Sequence, residues 1–206
     1  LKVHAVPYRD AKAALRALTA VASSQGGYFT ARQAEEVGYD APHLSYHLSA
    51  GNFERADRGL YRIPTLPLSE HDDLVRLWLW SRGLDDQPRA VVSHQTALAL
   101  HDLAELIPTT IHLTVPPGFR KQPPQGCVLH KGTFDHGATH AFDAFPVTTP
   151  LRTLLDLVDA GSLPTEQFNA AVAVAVQRGL IRQTDAVVLL SHGSERRRTS
   201  RSAGHR

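Results

Sequence analysis

The sequence predicts a mixed α/β chain of the α+β kind: a small helical module closed by a β-hairpin, followed by a mixed α/β region. Three observations carry this expectation. Helical periodicity and capping signals dominate residues 11–51. Two short strand-like segments separated by turn residues follow at 53–63. Beyond a proline-marked linker, helix-like and strand-like segments alternate irregularly up to residue 190.

Ala11–Ala22 reads as a helix, with Leu15, Leu18 and Val21 three residues apart. The turn residues Ser23, Ser24, Gln25, Gly26 and Gly27 end it. Thr30 is an N-cap candidate, and Gln33 stands three residues later in a capping-box arrangement. This second helix is short and stops at Gly38. A third helix starts at Ala41 and Pro42, where Pro suits a first turn, and runs to Gly51 with Leu44 and Leu48 on its buried stripe. Phe53–Ala56 and Leu60–Ile63 read as two strands joined through Asp57, Arg58 and Gly59. Helix, helix, tight turn, helix, hairpin is the order of a winged helix-turn-helix, with the hairpin as wing.

Pro64–Pro67 reads as an extended linker. The next helix, Glu70–Arg82, brings Leu74, Leu77, Trp78 and Trp80 to or near a buried face. Gln95–Leu100 reads as helix, Ile111–Val115 and Cys127–His130 as strands. Thr149 and Pro150 are the N-cap and first residue of a helix through Leu151, Leu154, Leu155 and Val158. Thr165–Gly179 is a last Ala- and Val-rich helix. From Ser191 the composition turns to Ser, Arg, Gly and His and predicts disorder. The expected domains are 1–66, the winged helix-turn-helix; 67–190, an α/β domain; and 191–206, a basic disordered tail.

The net charge of +2 conceals an asymmetry. Residues 1–66 carry eight Lys/Arg against six Asp/Glu, residues 67–190 nine against thirteen, and residues 191–206 five against one. Basic ends around an acidic middle fit a polyanion met by the ends. No apolar run reaches the ~18 residues of a membrane span. Leu1–Asp10 lacks the apolar stretch of a signal peptide, and the single Cys127 precludes an internal disulfide, so a cytoplasmic protein is expected.

In the third helix His43, Ser45, Tyr46 and His47 fall outside the leucine stripe. Short polar groups of this kind suit a helix entering the major groove, with Tyr46 able to reach a phosphate. Arg55, Arg58 and Arg62 on the hairpin suit phosphate or minor-groove contact. Thr30, Arg32 and Gln33 open the second helix, where backbone N–H groups can hold a phosphate. These ten residues form the expected contact set for double-stranded DNA. Phosphate loops and nucleophile-elbow motifs are absent, so no catalytic residue is assigned and the protein is read as a non-enzyme. His130, His136 and His140 lie close in sequence, but Gly132 and Gly137 make that stretch a loop of exposed histidines, and neither metal nor cofactor is expected. Ser93 before a helix reads as a cap, and Arg152 with Asp156 as an i, i+4 ion pair.

Five stretches in order resemble the AbiEi family of antitoxins. They are Gly26–Ala34 followed by Gly38, Arg58–Arg62, Val92–Leu103, Ile111–Pro116 and Pro146–Leu157. One position departs from the family pattern: Asp102 stands where Gly is expected after His101. The resemblance implies an N-terminal winged helix that represses its own operon by binding inverted repeats in promoter DNA. It implies an antitoxic C-terminal domain whose signature positions include Ser93, His94, Thr148, Thr149, Arg152 and Asp156. The implied partners are promoter DNA and a nucleotidyltransferase-like toxin, neutralised without need of a stable complex; the absence of coiled-coil heptads beside an isolated winged helix leads to the expectation of a monomer in solution. The alternative is a winged-helix transcription factor that responds to a ligand and has no antitoxic activity.

Overall fold

The computed structural model describes residues 8–105 and 108–203. The basic residue Arg206 and most of the Leu1–Asp10 segment therefore lie outside the described residues. The chain is mixed α/β and divides into two units: residues up to Pro88 with Asp143–Phe145, and Arg89–Phe142 with the residues from Pro146 onward.

The first unit opens with α1 (Tyr8–Ser23), then β1 (Tyr28–Thr30), α2 (Ala31–Glu36), α3 (Ala41–Ser49), β2 (Glu54–Asp57) and β3 (Leu60–Arg62). Helices, turn and hairpin follow the order expected of a winged helix-turn-helix. The addition is β1, which joins the hairpin in a three-stranded sheet of order β1-β3-β2. All pairings are antiparallel, with Tyr28 opposite Arg62 and Thr30 opposite Leu60. Three residues after a Gly pair give no alternation to detect, so this strand escapes sequence reading.

The core of this unit gathers Leu18, Ala22, Phe29, Ala34, Tyr39, Leu44, Phe53 and Ile63. Phe29 packs edge-on against Phe53 at 5.1 Å and stacks with Tyr61 at 5.7 Å, so aromatic geometry ties β1 to β3 and to the residue that leads into β2. Of the apolar residues spaced by three in α1, Leu15 is exposed and Leu18 is buried, with Ala22 four residues on. The next helix, α4 (Asp72–Trp80), belongs to this unit, although the sequence expectation closed the first domain at 66. Tyr28 Oη donates to Asp72 Oδ1 at 2.8 Å. A Cβ on Gly26 would come within 3.3 Å of Val75, so α4 packs close over the turn. Leu74, Val75 and Leu79 form the buried face of α4, whereas Leu77, Trp78 and Trp80 are half-buried.

The second unit holds β4 (Val91–Val92), α5 (His94–Leu100), β5 (Ile111–Val115), β6 (Cys127–Lys131), β7 (Thr139–Phe142) and, from Pro146 on, β8 (Phe145–Thr148). Helices α6 (Pro150–Ala160), α7 (Thr165–Gln177) and α8 (Gln183–Ala203) follow. The five-stranded sheet has the order β6-β5-β4-β8-β7. Strand β4 pairs antiparallel with β5 and parallel with β8, and β5 pairs parallel with β6. Cys127, the sole cysteine, is buried opposite Ile111. The helices enclose Leu98, Leu103, Leu154, Leu157, Phe168, Val172, Ile181 and Leu189.

The segment from Ser191, expected to be disordered, continues α8 as far as Ala203. Gln183–Leu190 pays the nucleation cost through packing of Ala186 and Leu189, after which Glu and Arg propagate a helix readily. Among the described residues no helix is long and apolar enough to cross a membrane.

Candidate nucleic-acid interface

Of the ten residues expected at DNA, the structure separates a buried group from an exposed one. Thr30 is 1% exposed and caps α2, its hydroxyl accepting from Gln33 N at 3.1 Å while Gln33 Oε1 accepts from Thr30 N at 2.9 Å. The Thr30 hydroxyl also donates to Asp86 Oδ2. Gln33 exchanges amide hydrogen bonds with Gln25 at 3.0 and 3.1 Å. The capping box thus uses both side chains together with the Thr30 and Gln33 N–H groups, which the sequence expectation offered to a phosphate.

Helix α3 is capped by Asp40, whose carboxylate accepts from His43 N at 3.0 Å. The same carboxylate sits 2.7 Å from His43 Nδ1 and holds that half-buried imidazole at the first turn. His47 turns toward the wing side of the core. It stacks on Phe53 at 4.9 Å, meets Tyr39 edge-on at 5.2 Å and bonds Asn52 Nδ2 through Nδ1 at 3.0 Å. Burial first, and then His43 nearby, push the His47 pKa down. His47 is thus half-buried, with one face of its ring packed on Phe53. Ser45 and Tyr46 are exposed, Tyr46 at 66%. Ser49, four residues after Ser45, is also exposed; helical spacing alone could have added it.

On the wing, Gly59 takes φ +67 at the turn, and β2 carries a bulge between Arg55 and Asp57. Arg55 and Arg58 are exposed. Arg62 is not free: its side chain is 15% exposed, Nη2 donates to Leu66 O at 2.7 Å and Nη1 pairs with Glu54 at 3.6 Å. Pairing of Arg62 opposite Glu54 across the hairpin dictates that ion pair. Arg32 is exposed in α2 and makes a surface i, i+4 pair with Glu36 at 3.2 Å. The exposed members of the expected set are Arg32, Ser45, Tyr46, Arg55 and Arg58.

The signature positions of the second unit fall into three hydrogen-bonded groups: Ser93 with His94, Thr148 with Thr153, and Thr149 with Arg152 and Asp156. Ser93 occupies the N-cap position of α5, but its side chain makes no capping bond. Its hydroxyl oxygen instead accepts from Thr114 Oγ1 at 2.8 Å and lies 2.9 Å from His94 Nδ1. His94 takes φ +52, is 6% exposed and stacks on His130 at 3.5 Å, and His130 Nε2 meets His112 Nδ1 at 2.9 Å. His130 is consequently a half-buried strand residue, contrary to the expectation of exposed loop histidines, whereas His136 and His140 are exposed. Burial is the first cause that lowers the pKa of all three stacked histidines, to about 3 for His94. Thr148 is buried and shares a 2.7 Å hydroxyl bond with Thr153; Thr149 caps α6, accepting from Arg152 N at 3.4 Å. Arg152 Nε donates to Asp156 Oδ1 at 2.7 Å, the ion pair read from the sequence. Burial raises the Asp156 pKa against the opposing pull of Arg152. Among the described residues no group of three or more His, Cys, Asp or Glu could hold a metal ion.

Residues 16–64 match the family model described as a transcriptional regulator, AbiEi antitoxin. No curated protein matches the chain. Among solved structures, the crystal structure of the RV2827C protein from Mycobacterium tuberculosis matches at 15% identity and a TM-score of 0.42, covering 88% of this chain and 77% of that one.

Proposed function

We propose, from the premise that residues 16–64 are of the AbiEi antitoxin regulator type, that this protein represses its own operon and neutralises a toxin. DNA binding is assigned to the segment 1–66 and antitoxic activity to the segment 67–190. The observation that carries the DNA half is the exposure of Arg55 and Arg58 on a wing whose third arginine is held down by Glu54 and Leu66. Exposed guanidinium groups at a hairpin tip suit phosphates, and Ser45 and Tyr46 on α3 suit a groove. The target is promoter DNA with inverted repeats, bound by two copies that come as monomers from solution. The toxin is nucleotidyltransferase-like and is opposed without a stable complex.

Gel-shift titration on the upstream region of the gene at two salt concentrations tests the DNA half. A sequence-specific shift that weakens steeply with salt is expected. An absent shift at low salt overturns it. Co-expression with the neighbouring gene tests the toxin half: rescue of growth is expected, and continued toxicity returns the reading to a ligand-responsive regulator.

A further inference from the structure

Helix α8 changes character along its length. Its first half packs. Ala186, Leu189 and Gly193 are buried at spacings of three and four, and His192 Nε2 lies 3.5 Å from Asp159 Oδ1. The same stripe next reaches Arg197 and Ser200, which bring nothing apolar to bury. After Leu190 the helix contains no apolar residue larger than Ala203. From Ser194 it instead carries Arg196, Arg197, Arg198 and Arg201, with Glu195 as the one acid.

The needs of the helix itself do not account for these arginines. Cations offset the helix macrodipole only within the last turn, and of the four only Arg201 stands there. Glu195, three residues before Arg198, is spaced to pair with that arginine alone. Arg197 and Arg201 stand four apart, a like-charge spacing that costs a helix stability until an anion offsets it.

The composition also selects the anion. A helix that lies in a membrane surface or docks in a protein groove needs an apolar face, and residues 191–203 supply none. The major groove of B-form DNA admits an α-helix, whereas that of A-form RNA is too narrow. Arginine presents a fork of donors that matches phosphate. We infer that residues 194–203 of α8 form a second DNA-binding element, which contacts the phosphates of duplex DNA by charge and without sequence preference. It lies outside the segment 1–66 to which DNA binding is assigned, and its contribution does not depend on the wing arginines.

Fluorescence-anisotropy titration of the whole chain against a duplex of about 20 base pairs and arbitrary sequence, over a series of salt concentrations, tests it. Joint substitution Arg196→Gln, Arg197→Gln, Arg198→Gln and Arg201→Gln is expected to weaken binding about tenfold or more at low salt and to reduce the salt slope by about 2 to 4. Lys at the same four positions is expected to restore most of both, because charge carries the contact. Melting should not change, since Ala186, Leu189 and Gly193 keep the packed half in place. The same drop is expected in an Arg55→Ala, Arg58→Ala background, so failure of the wing reading and failure of this one are seen separately. A Gln variant with the affinity and salt slope of the parent overturns the inference. So does a parent that binds no duplex at low salt, or a Lys variant as weak as the Gln variant.

Discussion

Arg58 and Arg62 lie on the same hairpin, yet only Arg58 is exposed; Arg62 is fastened to Leu66 and Glu54. Their substitution should therefore read out differently. Arg55→Ala with Arg58→Ala is expected to weaken DNA binding across sequences and to reduce the salt slope by about 2, with melting unchanged. Arg62→Ala is expected to cost about 1 kcal/mol of stability, measured by denaturant titration, because it strands the Leu66 carbonyl. The histidine stack makes a second residue-scale prediction. His94 is neutral when folded down to about pH 3, while in the unfolded chain it protonates near its ordinary value of 6.5. The unfolded state thus takes up the proton first, and stability contributed by neutral His94 is lost as pH falls below about 6.5. Between there and pH 5 the loss is about 2 kcal/mol for this one group. His112 and His130 shift in the same direction and add to it. His94→Asn, which tolerates the left-handed backbone, should flatten the acid limb of stability against pH; an unchanged limb would assign the effect elsewhere.

At the scale of elements, three helix ends close alike. After α5, α6 and α7 the chain turns left-handed at Asp102, Gly161 and Gly179, with φ of +51, +59 and +68. Leu103 N returns to Leu98 O at 3.2 Å, and Leu180 N to Ala175 O at 2.8 Å, the bonds of a Schellman ending. Asp102 is the one non-glycine among them, held in part by Arg178 Nη1 donating to its carbonyl at 3.0 Å. Asp102→Gly removes the Cβ strain and should raise stability by about 0.5 kcal/mol, read from the denaturant midpoint. Conversely Thr30→Ala opens the α2 capping box and should cost about 1 kcal/mol. The helices up to α7 and the hairpin were legible because caps and periodicity are local signals, whereas α8 was not read from the sequence. Strands β1, β4, β7 and β8 were not legible, since two to four residues define no period and only partners across a sheet make them strands. The site divides similarly. The Arg152–Asp156 pair follows from spacing alone, but the burial of Thr30 and the half-burial of His47 and Arg62 go with contacts to Asp86, Phe53 and Leu66 that spacing does not encode.

On the scale of the whole molecule, the first unit needs more chain than a winged helix-turn-helix by itself. Tyr28 bonds Asp72, and Val75 closes on Gly26, so a fragment ending at 88 should melt well above one ending at 66. Equal melting of the two fragments would show that α4 adds nothing to the unit. A different consequence follows from the way sulfur is placed. The chain has no methionine, and its one thiol is buried in β6, where burial also raises its pKa and suppresses the reactive thiolate. Peroxide at doses that convert exposed methionines to sulfoxides and cysteines to sulfenic acids finds no such target on this surface. Peroxide treatment of the folded chain is therefore expected to leave its mass unchanged, and a gain of one oxygen would show that Cys127 is reached.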